Sequence, residues 1–134
     1  MPGNKNIDEI LKAGRRIAVV GLSPKPERPS NWIARLMLEN GYTVYPVHPA
    51  HQEILGQKAY GRLSDIDQPV DLAVIFRRPD QVMPVVEEAI ALGIPRLWMQ
   101  PGAENPAAAK KAQEAGLQVV MGKCWAVEFR SRRF

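Results

Sequence analysis

Side chains able to do chemistry gather in a few short segments. The first, Gly21-Leu22-Ser23-Pro24-Lys25-Pro26-Glu27-Arg28-Pro29-Ser30-Asn31, follows the β-branched run Arg16–Val20. A glycine there lets backbone approach a phosphate, Ser23 offers a hydroxyl, and a helix N-terminus near Ser30 or Asn31 favours an anion. The competing reading is a proline-stiffened turn that holds nothing. The dinucleotide pattern G-x-G-x-x-G is incomplete, with only its first glycine present. A second segment, Val47-His48-Pro49-Ala50-His51, stands where NAD-binding domains carry an acid for the ribose hydroxyls, yet no acid precedes Glu53. That counts against NAD and leaves NADP open, since its 2′-phosphate accepts a basic neighbour. The two histidines lack an evident third metal ligand, so surface histidines are the better reading. In Phe76-Arg77-Arg78-Pro79, paired guanidinium groups beside an aromatic suit a phosphate clamp with a stacked base. Against it stands the plainer arrangement of one arginine in solvent and the other paired with Asp80 or Glu27. Lastly, Gln100–Ala103 and Gly122-Lys123-Cys124-Trp125 follow further apolar runs. Lys123 would favour a thiolate at Cys124, although a lone cysteine more often packs in a core. Glu39, Glu87, Glu88 and Glu114 fall on helix-like stretches and form no acid–base pair.

The elements that must position these segments alternate. A short helix over Ile7–Lys12, entered at Asn6, precedes the strand Arg16–Val20, whose continuous β-branched run implies burial on both faces. A helix capped by Ser30 or Asn31 carries Trp32, Ile33, Leu36 and Met37 and ends at Asn40-Gly41. Thr43–Val47 is the next strand, and Pro46 predicts that it bends or stops pairing there. Gln57–Tyr60 reads as a short edge strand and Ser64–Ile66 as one helical turn. Leu72–Phe76, Arg96–Met99 and Gln118–Met121 are further strands. A helix with Pro84 in its first turn ends at Gly93, and another begins at Asn105-Pro106 and ends at Gly116. This alternation predicts a doubly wound parallel sheet of about five strands with helices on both faces. Ligands in such sheets lie outside the carboxyl ends of the strands, where the strand order reverses. Every segment in the preceding paragraph falls at one of those ends.

Composition sets wider bounds. A chain of 134 residues with 46% hydrophobic content makes one domain, with a basic C-terminal tail from about residue 129 that includes Arg130, Arg132 and Arg133. The 18 Lys and Arg against 14 Asp and Glu give a net charge of +4, which means either a solvated basic surface or attraction for a polyanion. A single cysteine excludes an internal disulfide and fits a reducing cytoplasm. No apolar run is long enough for a signal peptide or a membrane span, so no membrane partner is expected. Nucleic-acid binding lacks interleaved aromatics or a known module.

Taken together, Ile17-Ala18-Val19-Val20-Gly21-Leu22-Ser23, Tyr45-Pro46-Val47-His48-Pro49, Val74-Ile75-Phe76-Arg77-Arg78-Pro79, Leu97-Trp98-Met99-Gln100-Pro101-Gly102 and Gly122-Lys123-Cys124 resemble the small CoA-binding proteins of the YccU-like type. The chain is also similar to the N-terminal domain of the succinyl-CoA ligase alpha subunit. The resemblance runs from about Asn6 to Glu128. It implies a Rossmann-like fold with coenzyme A or an acyl-CoA as ligand. By the same resemblance Gly21–Pro24 hold the CoA phosphates, and His48–His51 and Phe76–Arg78 meet the rest of its nucleotide half. The full expected site is Gly21, Leu22, Ser23, Pro24, Lys25, Asn31, Val47, His48, Pro49, His51, Phe76, Arg77, Arg78, Gln100 and Cys124, with no metal and no catalytic residue. The chain resembles the binding half of such a ligase without its catalytic half. A non-catalytic CoA-binding module is therefore the first expectation, as a homo-oligomer or beside an unknown partner enzyme. An NAD(P)-dependent oxidoreductase, or another enzyme of a nucleotide cofactor, is the second.

Overall fold

The computed structural model describes residues 4–132. Five parallel strands form the main sheet: β1 (Arg16–Val20), β2 (Thr43–Val47), β5 (Leu72–Ile75), β6 (Arg96–Met99) and β7 (Gln118–Met121). A separate two-residue hairpin pairs β3 (Glu53–Ile54) with β4 (Gln57–Lys58). The main sheet runs in the order β2-β1-β5-β6-β7. The chain thus winds outward from β1 to β2, crosses back, and winds the other way from β5. Strand order reverses between β1 and β5, and this doubly wound, Rossmann-like arrangement makes a crevice there.

Strand composition explains the layering. In β1 only Arg16 is exposed, and β5 is buried at every residue, as strands covered on both faces require. Alternate side chains serve opposite layers. Ile17 and Val19 of β1 join Ile7, Ile10 and Leu11 of α1 (Asn4–Ala13), Ile33 and Met37 of α2 (Pro29–Glu39) and Trp125 of α5 (Trp125–Arg130). Ala18 and Val20 join Val82, Val86 and Ala89 of α3 (Val82–Leu92) and Ala108, Ala109 and Ala112 of α4 (Pro106–Glu114).

Several local expectations are corrected. Helix α1 runs Asn4–Ala13, longer at both ends than the expected Ile7–Lys12. Pro46 neither bends nor ends β2: it stays in register with Val19, and pairing continues through Val47. The reason is orientation. The Pro46 carbonyl accepts the Tyr60 N–H at 2.9 Å on the outer side of this edge strand, so the missing Pro46 N–H faces away from β1. The single turn is a 3₁₀ helix at Leu63–Asp65. Of Gln57–Tyr60, only Gln57 and Lys58 pair in the hairpin, while Tyr60 bridges Val47.

The segment expected as a tail is instead the helix α5 through Arg130. Its Trp125 and Phe129 rings stack 5.0 Å apart, and Tyr42 packs edge-on against both. Beyond the helix, Arg132 is bonded to Asp8 of α1 and to Glu128. Arg133 lies outside the described residues.

Hydrogen bonding of the sheet continues past the strand ends. Gly21 N–H donates to the Val47 carbonyl at 2.9 Å, Phe76 to Val20 at 2.8 Å, Gln100 to Ile75 at 3.2 Å and Gly122 to Met99 at 3.2 Å. The first residue of each of these four loops is thereby locked to the neighbouring strand. At Gly21 the packing leaves no room: φ is +89°, and a Cβ built there would lie 2.2 Å from the Phe76 carbonyl oxygen. Gly93, the left-handed C-cap of α3 at φ +75°, has nothing within 4 Å of such a Cβ. Gly21→Ala is therefore expected to destabilise the protein by about 2–4 kcal/mol, through a clash added to backbone strain. Gly93→Ala should cost only about 1 kcal/mol. Urea unfolding of the two variants checks the difference, and equal costs would contradict it.

Candidate functional site

All five loops at the carboxyl ends of the main strands border one cavity of about 760 Å³. Gly21, Phe76 and Gln100, three of the four residues locked to neighbouring strands, lie on its surface. Ser23, Pro24, Lys25, Arg28, Pro29 and Ser30 contribute from the loop before α2, with Trp32 and Ile33 from α2 itself. His48 and His51 enter after β2, Arg77 and Arg78 after β5, Pro101–Ala103 after β6 and Cys124 after β7. Among the described residues the lining holds four permanent cations and two histidines but no Asp or Glu. Such a surface favours a polyanion.

The loop before α2 is built by its own polar side chains. Ser23 N–H donates to Ser30 Oγ at 2.9 Å, Lys25 N–H to Ser23 Oγ at 3.1 Å, and Asn31 Nδ2 to the Ser23 carbonyl at 2.8 Å. Arg35 fastens the turn from below, with Nη2 donating to the Pro26 carbonyl and Nε to Asn31 Oδ1. Ser30 and Asn31, expected as helix caps, instead hold this loop, and α2 starts at Pro29 without a side-chain cap. Pro29 has no N–H to offer, and the Asn31 N–H turns back to the Arg28 carbonyl at 3.0 Å. The first turn of α2 is thus a poorer anion site than expected, which leaves the cationic side chains to attract charge.

Arg77 and Arg78 part ways. Arg78 is 74% exposed and faces Asp80 at 3.7 Å, the plain arrangement of a solvated ion pair. Arg77 is half-buried, and its Nε is shut off from solvent with no hydrogen-bond partner. An unsatisfied buried donor costs about 1–3 kcal/mol. The Arg77 side chain is also part of the cavity lining.

His48 Nδ1 accepts the Ala50 N–H at 3.1 Å, and its ring lies 4.6 Å from that of His51. Burial first, then the charges of His51 and Arg77, hold its pKa below the usual 6.5. Gln100, only 3% exposed, uses Oε1 to accept the Trp125 N–H at 2.8 Å, while Trp98 Nε1 donates to the Lys123 carbonyl at 2.7 Å. These bonds tie β6 to the start of α5 and set half-buried Cys124 on the cavity wall. Among the described residues no three His, Cys, Asp or Glu side chains gather as a metal-binding group.

Of the expected site, Gly21, Ser23, Pro24, Lys25, His48, His51, Phe76, Arg77, Arg78, Gln100 and Cys124 line the cavity together. Leu22 and Val47 do not: Leu22 is buried in the core at 0% exposure, and Val47, 2% exposed, borders a second, smaller cavity instead. Asn31 supports the loop from beneath, and Pro49 is exposed outside the cavity. Arg28, Pro29, Ser30, Pro101, Gly102 and Ala103 also line it, from within the candidate segments but outside the expected site, and Trp32 and Ile33 were missed. Trp32 carried a signal, since a large aromatic in the first turn of a helix at a strand-order reversal faces the crevice as readily as the core.

Comparison with known proteins decides the family. The model of the CoA binding domain matches residues 15–130. The chain belongs to the CoA-binding domain family. It is 41% identical over 123 residues to the uncharacterized protein YneT of Bacillus subtilis (strain 168), covering 92% of this chain and 91% of that protein. A hypothetical protein from Pyrococcus horikoshii OT3 shares its structure with a TM-score of 0.94 at 41% identity, covering 97% of this chain and 92% of the other. The ADP-forming 4-hydroxybutyrate–CoA ligase of Nitrosopumilus maritimus (strain SCM1) is 35% identical over 83 residues, which are 60% of this chain and 12% of the ligase. No helix among the described residues is long and apolar enough to cross a membrane.

The environment of His48 generates a pH dependence. Its folded pKa is depressed, so the unfolded chain binds the proton more readily and stability falls as pH drops through 6.5. His48→Gln should remove part of that loss between pH 6.5 and the lower folded value. Chemical denaturation at stepped pH reads it, and parallel stability curves for parent and variant would contradict the assignment.

Proposed function

We propose that this protein binds coenzyme A, or an acyl thioester of it, as a non-catalytic cytoplasmic module. One observation carries the reading: the buried, unpartnered Nε of Arg77 in a carboxylate-free, cation-lined cavity at the strand-order reversal. Coenzyme A brings a diphosphate and a separate ribose phosphate, enough anionic oxygen for Arg77, Lys25 and Arg28 together. Its adenosine finds Phe76 nearby, and its pantetheine arm can run past Pro101 and Trp32 toward Cys124. Membership of the CoA-binding domain family supports the same ligand. The non-catalytic part rests on a cavity lining without a carboxylate to pair as acid and base. The nicotinamide alternative gains no support at the end of β2, where His48 and His51 stand in place of a ribose-binding acid.

Titration calorimetry with CoA, NADH and NADPH separates these readings. CoA should bind at least about tenfold more tightly than either nicotinamide cofactor, a difference of about 1.4 kcal/mol. Arg77→Ala should weaken CoA by about 10- to 150-fold, the effect of losing a charge-assisted hydrogen bond of about 1.5–3 kcal/mol. Arg78→Ala should cost less than about fivefold, because an exposed ion-paired arginine contributes little. Tighter binding of NADH or NADPH would overturn the ligand, and parent-like affinity in Arg77→Ala would overturn the anchor.

A further inference from the structure

A second cavity, of about 330 Å³, opens at the same edge of the sheet beside the first turns of α3. Val20, Val47, Leu63 and Val85 give it an apolar lining, and Arg77 borders it as well as the larger cavity. The other charges around it already face partners. Arg62 lies 3.8 Å from Glu88, whose carboxylate also accepts the Ser64 N–H, and Asp80 faces Arg78. The charge left over is the Arg77 guanidinium, with its buried Nε unsatisfied.

We propose that this smaller cavity is a second binding site, for a short-chain carboxylate, whose occupant shares Arg77 with coenzyme A. The chemistry selects the class. One unpaired cation calls for one anionic headgroup, and the apolar lining calls for a short hydrocarbon body behind it. Inorganic phosphate has no apolar part to set against the partly exposed Val85 and the exposed Pro84. A purine is neutral and would leave the guanidinium unpaired. Because one side chain borders both cavities, a carboxylate drawn to it weakens CoA and CoA weakens the carboxylate by the same factor. This coupling rests on the CoA reading above; occupancy of the smaller cavity does not.

The test is a titration of the full chain, methyl-labelled at Leu and Val, with hexanoate, inorganic phosphate and adenosine in turn. Hexanoate should move the Leu63 and Val85 methyl signals, whereas phosphate and adenosine should leave them in place. Pro84 is exposed at the mouth of the cavity, so Pro84→Trp fills the opening without entering the core and should abolish the hexanoate response. Saturating hexanoate should weaken CoA by about fivefold or more, with the reciprocal effect of equal size. Unmoved methyl signals with hexanoate, or an unchanged response in Pro84→Trp, would overturn the site. Movement by adenosine would assign the cavity to the nucleotide instead. Hexanoate binding that leaves CoA affinity unchanged would overturn the shared arginine. If CoA fails to bind at all, the hexanoate titration still reads the smaller cavity, so the two failures are distinguishable.

Discussion

The contact between Gly21 and the Phe76 carbonyl governs the functional end of this molecule. No side chain fits between them, since even a Cβ would lie 2.2 Å from the oxygen. The glycine is therefore required by strand packing before any ligand is considered. Its N–H holds Val47, Phe76 holds Val20, and Gln100 holds Ile75, so the loop origins form a rigid extension of the sheet. Arg77 follows directly from that extension. Its guanidinium is confined beside the strand-order reversal, where a solvent-facing arginine would turn to water. A preorganised donor of this kind avoids most of the ordering cost that a flexible side chain meets on binding.

That arrangement sets stability against recognition. A buried Nε without a partner destabilises the ligand-free fold, and the rest of the molecule offsets the cost. Two well-filled apolar layers flank the sheet, and Tyr42, Trp125 and Phe129 interlock beneath the start of α5. Local departures from the rules of a satisfied interior tend to mark functional sites. Among the described residues two buried donors lack a partner, Arg77 Nε and Trp125 Nε1, and the first belongs to the cavity lining while the second sits in the core.

Much of this was legible in the sequence. Continuous apolar runs ending in Gly21, Phe76, Gln100 and Gly122 gave the strands, and the alternation gave a parallel sheet with all five loops at one edge. The quoted motifs then pointed to the family. What escaped is physical in each case. Adjacent residues on extended backbone point to opposite sides, so Leu22 and Val47 pack inward beside neighbours that line the cavity. For the same reason Arg77 and Arg78, alike in type, end in a buried niche and in solvent. Helix α5 has six residues, too few to be stable from local propensity. Its support comes from Tyr42 and from the bond of Arg132 to Asp8, both distant in sequence. Pro46 was misread because sequence does not reveal which side of an edge strand faces outward. Ser30 and Asn31 have the chemistry of caps, but a proline-rich loop lay closer to their side chains than the helix end did.

On the coenzyme A reading, a phosphate oxygen of the ligand satisfies the buried Arg77 Nε. Nitrogen-15 spectroscopy of the arginine side chains reads that atom directly, with Arg77→Lys supplying the assignment. On adding CoA, the Arg77 Nε–H signal should shift downfield and become protected from exchange, while the Arg78 signal stays near its solvent-exposed position. An Arg77 signal unchanged at saturating CoA would contradict the account.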